Sequence, residues 1–213
     1  CLAIHDVAIQ LGEEMCAGIL FWHSFTGCDT VSAFAGHGKK TFWDTWKNNK
    51  NFSPTFATLS RSPKEISDRL FQEIQLYVIK AYDKTSNLKS VNKCRKHLVT
   101  KKNWALESIP PTEDALMQHV KRAAFQAGHI WGQWKEKCPV LPTPEDWGWK
   151  KQASSYSPIW TILPDASKHC KELVKCGCKS LCSTRRCKCK KLALPCSSLC
   201  FCDGQCGDYE ANE

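Results

Sequence analysis

The chain has 213 residues with a formal net charge of +9, a length that suits one or two domains, and its 42% hydrophobic residues are ample for a core. No apolar run approaches the length needed to span a bilayer, and no signal-peptide pattern precedes the first helix, so a membrane partner is not expected. The basic charge is uneven, because residues 168 to 206 carry nine Lys or Arg against two acidic residues. That imbalance directs attention to the C-terminal end and to a polyanionic partner.

Opening on Cys1 directly into an apolar pattern, the chain reads as the C-terminal part of a longer protein. Residues 5 to 25 are predicted helical, with Val7, Ile9, Leu11, Met15, Ile19, Leu20 and Phe21 at mixed helical spacing around Gly12. Gly27 then punctuates, and Asp29 or Thr30 can cap the next element. Gly36-His37-Gly38-Lys39-Lys40 forms a glycine turn into a basic, aromatic helix, and such a turn presents backbone N–H groups to phosphate.

The segment from Phe21 to Trp46, with its Gly-Cys-Asp at 27 to 29 and Gly-x-Gly-Lys at 36 to 39, resembles the distal part of a PIN-like, flap-endonuclease-like nuclease with a helix-hairpin-helix over residues 1–50. The resemblance implies a catalytic metal carboxylate at Asp29 and DNA-backbone contacts at Gly36, Gly38, Lys39 and Lys40. Such enzymes gather several carboxylates around two magnesium ions, and Asp29 is the single candidate here. Glu13, Glu14 and Asp44 do not supply the rest. Asp29 is equally well placed as a helix N-cap, so catalysis by this chain alone is not expected. His23 and His37 read as a core-edge and a turn histidine.

The middle of the chain is predicted to be helical packing. Ser62-Pro63-Lys64-Glu65 combines an N-cap, proline at the first helical position and a capping-box glutamate, followed by Ile66, Leu70, Ile74, Val78 and Ala81 on one face. A second helix is predicted from about Ser90 to Val99. A third follows Pro110-Pro111-Thr112, with Leu116, Val120, Ala123, Ala127, Ile130, Trp131 and Trp134 as core. Lys101, Lys102, Lys121 and Arg122 read as solvated faces. From Pro139 to Pro164 an irregular proline- and tryptophan-rich arm is expected, wrapping over the body because Trp147, Trp149 and Trp160 are too many large apolar groups to leave in water. The same arm is the expected place for any protein partner.

From Cys176 to Cys206, nine cysteines fall in 31 residues as C-x-C-x3-C-x4-C-x-C-x6-C-x3-C-x-C-x3-C. The ligand candidates are Cys176, Cys178, Cys182, Cys187, Cys189, Cys196, Cys200, Cys202 and Cys206. A structural zinc takes four ligands in a tetrahedron and favours thiolate. Two isolated four-cysteine sites would leave one thiolate over, whereas three zinc ions are satisfied by six terminal and three bridging sulfurs. A disulfide knot fits poorly with an odd count and C-x-C spacing. Metallothionein-like storage is the harder alternative. Against it stand Leu181, Leu192, Leu194, Pro195, Leu199 and Phe201, which suggest a small shaped module. Cys170 lies outside the pattern and reads as a free thiol.

This segment resembles the tesmin-type cysteine-rich (CXC) domain, with one extra residue in the last interval. The resemblance implies three zincs and binding to double-stranded DNA with a side chain in the minor groove. Reduced cysteines fit a cytosolic or nuclear setting, and with DNA as the partner a nuclear location is expected. The family usually carries tyrosine before the fourth cysteine, where this chain has Arg186, and arginine can read a narrow minor groove by charge. Lys179, Arg185, Arg186, Lys188, Lys190 and Lys191 are the expected DNA contacts. As a whole, the order of elements resembles animal CXC-domain proteins of mobile-element type.

The expected fold is mostly α: a helical body over 1–138, the irregular arm over 139–164, a small three-zinc module over 165–208 with little regular secondary structure, and a frayed acidic tail over 209–213. The leading functional expectation is a zinc-containing DNA-binding protein. The alternatives are the rear half of a magnesium-dependent structure-selective nuclease or transposon-encoded protein, and a protein-interaction module with structural zinc.

Overall fold

A computed structural model describes residues 3–61, 63–101, 108–162, 176–178, 182, 187–191, 194, 196 and 200–202, with backbone alone at 100 and 101. These residues are mostly helical, with one two-stranded sheet among them. The chain divides into two compact units, Cys1–Ile162 and Leu163–Glu213. Among the described residues no helix is long and apolar enough to cross a membrane.

The first unit begins with α1 (Ile4–Leu11) and α2 (Glu13–Phe25). The single helix predicted for residues 5 to 25 is in fact two, because Gly12 adopts φ 78°, ψ 163° between them, a conformation that breaks the helical ladder and suits glycine. The break separates two environments. Helix α1 has no buried residue, and Ile4 and Ile9 are largely exposed, whereas α2 buries Met15, Gly18, Phe21, Trp22 and Phe25.

The glycine turn then delivers the chain into α3 (Lys39–Asn48), a 3-10 turn (Lys50–Phe52) and α4 (Ser53–Leu59). Gly36 has φ +70°, and the short bridge between Phe34 and His37 closes the turn. Helices α2 and α4 approach closely at Gly18, where an added Cβ would lie 2.7 Å from Phe56 Cβ. Around this contact Phe21, Phe25, Phe42, Trp46 and Phe56 are fully buried. Most of these rings meet at edge-to-face or tilted angles, such as Trp46 on Phe56 at 4.9 Å and 71°, while Phe21 and Phe25 stack at 5.3 Å; ring quadrupoles favour both edge-to-face and offset-stacked pairs.

Helix α5 (Asp68–Tyr82) supplies Tyr77 to the centre of that cluster. Its hydroxyl donates to Phe42 O at 2.6 Å and accepts from Trp22 Nε1 at 3.1 Å, so one polar tip joins α2, α3 and α5. The start of α5 lies further along than Ser62-Pro63-Lys64-Glu65 predicted. Ser67 is the N-cap, its hydroxyl accepting from Leu70 N. Ser62 lies outside the described residues. Ser67 prevails because Ile66 and Phe71, the two positions of a hydrophobic staple around it, both pack into the core.

Helices α6 (Val91–Lys101) and α7 (Glu113–Ala124) complete the body. Thr112 caps α7 as its Pro-Pro-Thr sequence predicts, accepting from Ala115 N, and Leu116, Val120, Ala123 and Ala127 are buried. The helix continues through a π-helical turn (Phe125–Ile130) and a 3-10 turn (Trp131–Gln133). The wider turn rotates the apolar stripe away from the core, leaving Ile130 and Trp134 exposed where the period predicted core.

The arm contains a 3-10 turn (Pro144–Trp147) and a hairpin of β1 (Trp149–Gln152) and β2 (Ser155–Pro158), in antiparallel register from Trp149–Pro158 to Gln152–Ser155. The hairpin was not expected from so irregular a sequence. Trp147 is buried and Trp149 packs on the core as expected, but Trp160 is 61% exposed. Its ring lies over the Arg122 guanidinium at 5.3 Å instead of in the core. In the second unit the described secondary structure is one short helix, α8 (Lys188–Lys191).

Candidate metal centre

Eight of the nine candidate ligands are described, and Cys206 lies outside the described residues. Cys176, Cys182, Cys187, Cys189 and Cys200 are buried, with Cys178, Cys196 and Cys202 packed against them. Among the described residues this small interior is made of cysteine side chains. Of the apolar residues expected to shape the module, Phe201 is 70% exposed and Leu194 half-buried, while Leu181, Leu192, Pro195 and Leu199 lie outside the described residues. Phe201 contributes through its backbone, its N–H donating to Cys176 O at 3.0 Å and tying the end of the segment to its beginning.

The sulfur spacings identify the kind of site. Cys176 Sγ lies 3.6 Å from Cys182, 3.9 Å from Cys196 and 3.8 Å from Cys202, and Cys182 lies 3.7 Å from Cys202 and 3.8 Å from Cys196. A tetrahedron of thiolates around zinc, with Zn–S near 2.3 Å, has edges of about 3.8 Å. A disulfide would need sulfurs at about 2.05 Å, and none of the described cysteines is in a disulfide. Two further four-cysteine groups also converge, Cys176 with Cys187, Cys189 and Cys196, and Cys176 with Cys178, Cys182 and Cys187. Cys176 is common to all three. The donor set fits a thiophilic divalent ion, and shared sulfurs are what a multinuclear cluster requires.

Local backbone geometry prepares these donors. Lys191 N donates to Cys187 O and Leu194 N to Cys189 O, closing the turn of α8. The backbone N–H of Lys190 points at the Cys187 sulfur and holds that thiol down to about 6, near the thiolate form that a metal needs. Burial pushes the Cys189 thiol up to about 12, so a cation must supply the charge that makes this sulfur a ligand.

Of the predicted DNA contacts, Lys188 and Lys191 are exposed on α8 and Lys190 is half-buried, while Lys179, Arg185 and Arg186 lie outside the described residues. In the first unit, Gly36 and Gly38 are open, with no atom near where a Cβ would stand. Lys39 is engaged internally: its ammonium donates to His23 O at 2.8 Å and Thr26 Oγ1 at 2.9 Å and lies 5.5 Å from the Trp22 ring centre. Lys40 is exposed and pairs with Asp44 at 3.1 Å. Asp29 is exposed at a bend, and among the described residues it belongs to no cluster of three or more potential ligands.

Two residues on α7 escape a reading by pattern. Arg122, expected on a solvated face, is 3% exposed, and its Nη1 donates to Gly148 O at 3.1 Å and to Ile159 O. His119 is buried beside it, with Nε2 2.8 Å from Phe25 O and Nδ1 3.3 Å from Ser32 Oγ. Both polar residues fall at helical spacing with buried apolar ones, but their partners come from distant segments, so no local signal marks them. No protein-family model, no curated protein and no solved structure matches this chain.

Proposed function

We propose that Cys176 to Cys206 hold a three-zinc thiolate cluster and that the basic residues between the cysteines bind the backbone of double-stranded DNA, in the manner of the tesmin-type CXC domain that the spacing resembles. The observation that carries this reading is the division of α8. Cys187 and Cys189 turn into the sulfur interior, while Lys188 and Lys191 of the same turn face solvent. A metal-filled interior thus displays cations at fixed positions, and Lys179, Arg185 and Arg186 add to them in sequence. Sequence-independent phosphate contacts, released by salt, are the expected mode. Arg185 and Arg186 are the proposed minor-groove residues, and such a protein would act in the nucleus.

Zinc, when bound, supplies structural cross-linking and neutralises the thiolates; the contacts to DNA belong to the side chains. Native mass spectrometry of the zinc-loaded chain should count three zincs, and fluorescence anisotropy on duplex DNA should give an affinity that falls steeply with salt. The Arg185→Ala, Arg186→Ala double variant should retain the zinc and weaken binding, with a salt slope shallower by about one for each phosphate no longer neutralised. Three zincs with no DNA affinity would leave a structural cluster and remove the DNA assignment.

A further inference from the structure

The first unit contains a cavity of about 260 Å³, lined in its apolar part by Phe34, Ile109, Pro111, Ala115 and Trp160. His119, Arg122, Tyr82 and Ser32 supply its polar atoms, and no described lining residue is acidic. The volume lies near the lower end of small-molecule sites, which span roughly 300–1,000 Å³, and matches a ligand built on a single ring.

Its electrostatics are those of one buried cation. Arg122 is 3% exposed, and burial lowers its pKa to about 10, still well above neutrality. Both its hydrogen bonds go to carbonyls through Nη1, so Nη2 and Nε have no acceptor among the described residues. His119 adds no charge near neutrality, since burial holds it down to about 4. Donation from Nε2 to Phe25 O leaves Nδ1 to accept from Ser32. Tyr82 is pushed up to about 12 by burial and stays protonated. A buried guanidinium without a carboxylate is costly, and an anion with planar, bidentate acceptors matches its remaining donors.

We infer that this cavity binds a small ring-bearing carboxylate, its anion held by Arg122 and its ring lodged among Phe34, Ile109, Pro111 and Trp160. Free phosphate shares the charge but lacks the apolar part, and an uncharged ring shares the apolar part but leaves Arg122 unpaired. None of the described lining residues belongs to the cysteine segment, so this inference stands or falls independently of the proposed DNA binding.

Benzoate is a suitable probe, titrated into the isotope-labelled, zinc-loaded full chain and followed by amide chemical shifts. Saturable shifts are expected at Ala33, Ala115 and Trp160, with benzyl alcohol binding at least tenfold more weakly and inorganic phosphate causing no saturable shift there. Arg122→Lys should weaken benzoate at least tenfold. Because that change also touches the arm, Ala115→Leu provides a second test, filling the cavity while leaving the guanidinium intact; it should abolish benzoate binding with the remaining spectrum and zinc content preserved. Absence of saturable shifts up to tens of millimolar benzoate, equal binding of benzyl alcohol or phosphate, or unaltered affinity in Ala115→Leu would overturn the assignment.

Discussion

Tyr77 shows how much one polar tip can organise. Fully buried, its hydroxyl has two partners on different helices, and burial raises its pKa far beyond the accessible range, so it remains a neutral donor. Tyr77→Phe keeps the ring and strands Trp22 Nε1 without its acceptor. The expected loss is about 2 kcal/mol, read from denaturant unfolding of the zinc-loaded chain. Gly18 is the opposite case, where the absence of a side chain matters. Gly18→Ala gains helix propensity but places a methyl 2.7 Å from Phe56 Cβ and 3.3 Å from Ala57 N. Overpacking should outweigh propensity and cost about 1–2 kcal/mol net; unchanged or increased stability would mean that α2 and α4 separate easily.

His119 makes stability depend on pH. Its folded pKa of about 4 lies below the ordinary 6.5, so the unfolded chain takes up the proton first. The contribution is complete above pH 6.5 and is lost as pH falls from there toward 4, with a maximum of roughly 3 kcal/mol. Burial lowers His23 and His129 as well, and both act in the same direction. Stability measured from pH 7 to 4 should therefore decline, and His119→Gln should flatten part of that slope. An identical slope in the variant would show that the other histidines account for it.

At the scale of elements, the caps and the arm divide between local and distant causes. Thr112 accepts from Ala115 N within its own turn, and Thr112→Ala should cost about 1 kcal/mol. The arm is tied by long-range bonds: Arg122 to the carbonyls of Gly148 and Ile159, and Asp114 to Thr161 Oγ1 and Ile162 N. Asp114→Ala removes the second tie alone. Amide exchange at Ile162 should accelerate while protection in α2 and α5 stays unchanged, because their core is built by other residues. Equal exchange in variant and parent would show that Arg122 and the hairpin suffice to hold the arm.

At the scale of the molecule, two interiors of different chemistry coexist in one chain. The first is aromatic and aliphatic, spanning Met15 to Trp147; the second is a set of cysteines from Cys176 onward. Among the described residues this interior of thiols buries little other apolar surface, so bound metal would be its chief source of stability. Adding a strong chelator should release zinc and unfold the cysteine-rich segment, while the helical unit retains its cooperative melting. Loss of both transitions together would show that the helical unit also depends on the metal.

The sequence by itself determined whatever depends on neighbours along the chain. The cysteine spacing located the sulfur interior because side chains a few residues apart can converge on one point, and Pro-Pro-Thr located the start of α7 because a cap acts within one turn. The mostly α class came from helical periodicity in the same way. Tertiary structure alone decided the rest. Helix α5 took Ser67 as its cap because Ile66 and Phe71 pack in the core, Trp160 remained exposed while Trp147 was buried, and Arg122 turned inward. Carbonyls 26 and 37 residues away satisfy that guanidinium, and a partner so distant leaves no mark on the pattern around it.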